Sequence, residues 1–107
     1  MIDWVRIQEL HRKMGAASAG NLIEDGLNSL QESLSRLNSL PLKERSGQLA
    51  VISTLAAEIG FTAIAEAGEA LALIPADHEN LDLGALEAAF DRSVSLFDVE
   101  REVYVAA

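Results

Sequence analysis

Residues 49–61 read Leu-Ala-Val-Ile-Ser-Thr-Leu-Ala-Ala-Glu-Ile-Gly-Phe. At about 100° per residue, Leu49, Ile52, Leu55, Ala56 and Ile59 share one arc of a helix, while Lys43, Ser46, Gly47, Ala50, Ser53, Thr54 and Ala57 fall opposite. One side is apolar and core-facing. The other is built from small and short polar residues around a single lysine, which is an unusual surface for a solvated helix. Gly60 supplies a stop.

Outward from this stretch the same period recurs. Asp3 is placed to cap a short first helix lined by Ile7, Leu10 and Met14 and ended by Gly15. From about Ser18 to Leu40, Ile23, Leu27, Leu30, Leu34 and Leu37 alternate steps of four and three, with Glu24, Asn28, Gln31, Ser35 and Asn38 facing away. This seam is too short for a confident intermolecular coiled coil and suits packing within one bundle. Leu40-Pro41 breaks the helix, and Pro41 suits the first turn of the third one, which runs to about Gly60. Thr62 is a candidate cap for a fourth helix through about Ile74, with Phe61, Ile64, Gly68 and Leu71 on its inner face. Pro75 to Leu81 forms a polar connection. Asp82 then caps a fifth helix along Leu83, Leu86, Phe90, Val94 and Phe97, reaching about Tyr104. No segment has the alternation of a strand. The expectation is an all-α single domain over residues 1–107: an up-down-up-down four-helix bundle with a short additional N-terminal helix.

Composition narrows the function. At 107 residues and half hydrophobic, the chain can bury one core without cross-links, and it has no cysteine for disulfides or thiolate metal sites. No run approaches the roughly 20 apolar residues of a membrane span, and the start lacks a basic-then-apolar signal, so a cytoplasmic protein is expected. The net charge of −9 argues against nucleic acid. It is unevenly spread: residues 1–53 hold six acids and six bases, whereas residues 54–107 hold eleven acids against Arg92 and Arg101. A partner meets a neutral half and a strongly acidic half.

The third helix resembles the signature of histidine phosphotransfer (HPt) domains, in which His-x-Leu-Lys-Gly is followed by a small residue and, further on, an apolar-Gly pair. Ile52, Ala56, Ile59 and Gly60 match. Ala50 stands where the phosphoacceptor histidine belongs, Ser53 where the lysine belongs and Thr54 where the glycine belongs. The opening Ile2-Asp3-Trp4, with Leu10 and Met14-Gly15, is also similar to the short helix lying across the end of such bundles. The resemblance implies an HPt-like bundle that has lost its nucleophile. Its outward face, Lys43, Ser46, Gly47, Ala50, Ser53, Thr54 and Ala57, is then the partner-binding surface, which in the family receives the acidic pocket of a receiver domain. Lys43 and Arg45 are candidates to replace part of the missing positive charge.

The remaining chemistry is sparse. A hydroxyl at Ser53 or Thr54 needs an adjacent base, and no histidine or carboxylate lies on that arc. His11, beside Arg12 and Lys13, reads as a solvated or packing residue rather than a displaced phosphoacceptor. His78 sits in Asp77-His78-Glu79-Asn80, where adjacent residues alone do not make a metal site. A register shift of one or two residues brings no histidine into the motif, and no phosphate loop or catalytic triad pattern occurs. No enzyme activity, cofactor or metal is expected. Two readings stay open. One is a non-phosphorylatable adaptor or competitor in a bacterial two-component phosphorelay, binding a response-regulator receiver domain or a histidine kinase. The other is a helical self-association protein, such as a homodimer, with an HPt-derived fold and no phosphorelay role.

Overall fold

Two glycines, Gly15 and Gly60, adopt φ of +86° and turn the chain where L side chains are strained. Around them, a computed structural model describes residues 2–37, 39–73 and 83–104 as five helices: α1 (Trp4–Met14), α2 (Ala16–Leu37), α3 (Leu42–Glu58), α4 (Thr62–Ala72) and α5 (Gly84–Tyr104). No strand occurs among the described residues. Asn38, Ile74, the Pro75–Leu81 connection with His78, and the Asp82 cap lie outside them.

Local chemistry sets the ends. Asp3 caps α1, its Oδ1 accepting from the Arg6 amide at 3.1 Å. The single Gly15 reversal lets α2 begin at Ala16, earlier than the sequence suggests. It ends at Leu37, whose carbonyl Pro41 could neither bond nor clear in a continued helix, and Pro41 takes the cap position of α3 rather than its first turn. At the other end of α3 the Phe61 amide donates to the Ala56 carbonyl (2.8 Å) and the Gly60 amide to Ala57 (3.2 Å). These two bonds are the Schellman pattern, with Gly60 as the left-handed residue and Phe61 as its apolar follower. The turn occupies Phe61 as the cap of α4. Thr62, read from sequence as that cap, is instead the first helical residue.

Each helix packs on the next in sequence. Gly26 of α2 lies against Ile59 at the end of α3, where an added Cβ would stand 3.1 Å from Ile59 Cδ1. Ile7, Ile23, Leu30, Leu37, Leu49, Ile52, Ile59, Phe61, Ile64 and Leu86 are fully buried in one continuous core. Met14, placed on the inner side of α1 by its spacing, sits in the last turn before Gly15 and is 42% exposed.

One end of the bundle is closed by α1. The Asp3 amide donates to the Gly60 carbonyl at 2.7 Å, and Arg6 Nε donates to the Glu58 carbonyl at 3.1 Å, satisfying a carbonyl that the end of α3 leaves free. Trp4 stacks on Phe97 at 5.5 Å, Phe97 meets Phe61 at 5.4 Å, and Trp4 Nε1 donates to Glu100 Oε2 at 2.6 Å. The N-terminal helix thus ties the end of α3 and the Gly60 turn to α5. The result is an elongated helical bundle, 48 × 21 × 19 Å. Among the described residues no helix is long and apolar enough to cross a membrane.

Candidate functional site

The outward side of α3 carries the residues singled out above, and the fold divides them. Lys43, Gly47, Ala50, Thr54 and Ala57 are exposed, and Ser46 is half-buried. Ser53 is not on the surface: it is 6% exposed and its Oγ donates to the Ala65 carbonyl of α4 at 2.8 Å. The cause is Gly68, whose missing side chain lets α4 close on α3; a Cβ there would stand 2.9 Å from Ser53 Oγ. Ser53 therefore belongs to the helix interface, and the lysine that the HPt signature carries at this place would have no room in this chain.

Ala50 and Thr54 form a low ridge between two grooves. One, of about 430 Å³, is lined by Ala50, Val51, Thr54, Leu55 and Glu58. The other, of about 450 Å³, is lined by Ala50, Ser53, Thr54, Glu69, Ala72 and Leu73. Val51 is 55% exposed and Leu73 85%, so both grooves have apolar lips. Space over the ridge is open, since a Cβ built on Gly47 meets nothing within 4 Å.

Chemically the ridge is inert. Ala50 offers a methyl group, and the Thr54 hydroxyl donates to the Ala50 carbonyl at 2.9 Å, a bond internal to the helix. Two carboxylates border the grooves beside Thr54, against the expectation of none on this side: Glu58, four residues on in α3 and about 40° round the helix, and Glu69, which reaches in from α4. Arg45, expected to lend positive charge, turns its Nε to the Leu40 carbonyl at 3.1 Å and is half-buried, leaving Lys43 as the exposed base of the expected set. The face is thus mixed in charge, basic at the start of α3 and acidic at its end.

Sequence reasoning missed Val51, Glu58, Glu69 and Leu73. Val51 had a signal, being an apolar residue off the core arc. Glu69 and Leu73 had none, because they reach the grooves from α4.

His11 lies away from this face. It is half-buried and borders a groove of about 550 Å³ between α1, α2 and α5, together with Glu24, Phe97, Asp98 and Arg101. Among the described residues there is no group of three or more side chains able to hold a metal ion. No family model matches the chain, and no curated protein or solved structure matches it significantly.

Proposed function

We propose that the chain is a non-phosphorylatable HPt-like protein of a two-component phosphorelay, docking a receiver domain or a histidine kinase as adaptor or competitor through the outward face of α3. The observation that carries this reading is Ala50. It is exposed halfway along α3, flanked by two apolar-lipped grooves, at the position where the signature resemblance puts a phosphoacceptor histidine. Five helices, the first of them short, support the same reading. Small residues at Gly47, Ala50 and Ala57 leave room for a partner's backbone, and Lys43 offers a charge to an acidic pocket.

Calorimetric titration with the receiver and histidine-kinase domains of the same organism tests this. Binding to at least one is expected, lost in Thr54→Arg on the ridge and retained in Asn28→Arg on the exposed side of α2. Absence of binding to all of them, or equal binding by Thr54→Arg, would overturn it.

A further inference from the structure

We infer that the outward face of α3 also pairs, antiparallel, with the same face of a second copy, about a two-fold axis between Ala50 and Val51. The strip has the self-complementarity that such an axis demands. Reversing one copy on the other sets Lys43 opposite Glu58 at both ends, Gly47 opposite Thr54, and Ala50 opposite Val51, and all six of these residues are exposed. Lys43 and Glu58 lie about 22 Å apart along the helix at a rise of about 1.5 Å per residue. The two ion pairs therefore bracket the small-residue centre and set both direction and register.

Shape and charge agree on the occupant. Val51 is 55% exposed and lies beside a groove lined by Ala50, Thr54 and Leu55, so each copy presents both a projecting apolar side chain and a recess for its counterpart. Gly47 and Ala50 permit helix axes to approach to about 8 Å. The net charge of −9 resides in residues 54–107, but Lys43, Glu44, Arg45 and Glu58, the charged residues of α3, sum to zero. Two copies joined through this helix therefore add no net charge repulsion from it. The inference stands on these residues alone and holds whether or not the protein serves a phosphorelay; where both hold, self-pairing and partner docking compete for one surface.

Sedimentation velocity of the chain by itself, with no receiver or kinase present, is the test. The wild type is expected to dimerise reversibly. Lys43→Glu and Glu58→Lys are each expected to weaken the dimer about tenfold or more, because each sets like charges against each other at both ends. The double variant Lys43→Glu/Glu58→Lys restores the pairs in reverse and is expected to regain wild-type association. All these positions are exposed, and circular dichroism checks that each variant keeps its helix content. A monomeric wild type at high micromolar concentration, a dimer indifferent to both single variants, or a double variant that stays monomeric would overturn the inference.

Discussion

The Ser53 hydroxyl on α3 donates to the Ala65 carbonyl on α4 at 2.8 Å, across a helix pair held close by the bare backbone of Gly68. That bond turns a residue of apparent surface character into part of the interior, and it fixes which side of α3 remains free.

Gly68→Ala tests the closeness of the pair. Its Cβ would stand 2.9 Å from Ser53 Oγ and 3.5 Å from the Leu49 carbonyl, and the hydroxyl cannot swing aside without losing its acceptor. Urea unfolding should show a loss of about 1–2 kcal/mol, overpacking outweighing the gain in helix propensity. Gly20→Ala, on the exposed side of α2 with nothing within 4 Å of the new Cβ, should instead gain about 0.5–1 kcal/mol.

Placing a lysine at Ser53, as in the signature that α3 resembles, should fail. Its stem would have to part α3 from α4 before its ammonium reached water, costing about 2–4 kcal/mol in the same assay. A fully stable Ser53→Lys would mean that α3 is rotated relative to this description.

Gly60→Ala combines two penalties, a left-handed φ of +86° and a Cβ 3.0 Å from both the Asp3 carbonyl and Ile7 Cγ1. A loss of about 2–4 kcal/mol is expected, with undocking of α1. The chain's single tryptophan, Trp4, reports it, since release from Phe97 and Glu100 should shift its emission to the red.

Most of the fold was legible because burial followed the helical period. Ile23, Leu30, Leu34 and Leu37 of α2, and Leu49, Ile52, Ala56 and Ile59 of α3, are buried as their spacing indicates. Ser53 was misread because it lies only about 40° round the helix from Leu49, at the edge of the core arc, where the neighbouring helix decides. Gly68 carried the missing information, and its effect shows once α4 is set against α3. The cap of α4 was misplaced for a similar reason: the Gly60 turn consumes Phe61, so the hydroxyl at Thr62 starts the helix without capping it. Of the candidate site, Lys43, Gly47, Ala50, Thr54 and Ala57 were placed outward from α3 alone. The far wall of the second groove, Glu69, Ala72 and Leu73, required a second helix.

Ile52→Asp and Ala50→His form an opposed pair on one helix. Ile52 is fully buried, so a carboxylate there should cost several kcal/mol and leave the chain largely unfolded. Ala50 is exposed, and histidine there should cost under about 1 kcal/mol, mostly helix propensity. Thermal melts of the two variants read the difference directly.

That tolerance makes the most direct measurement possible. Wild type and Ala50→His are each incubated with a phosphorylated receiver domain of the same organism, and transfer of the label is followed. Label is expected on Ala50→His and none on the wild type, the face still docking and the nucleophile alone missing. Label on the wild type, or on neither protein, would contradict it.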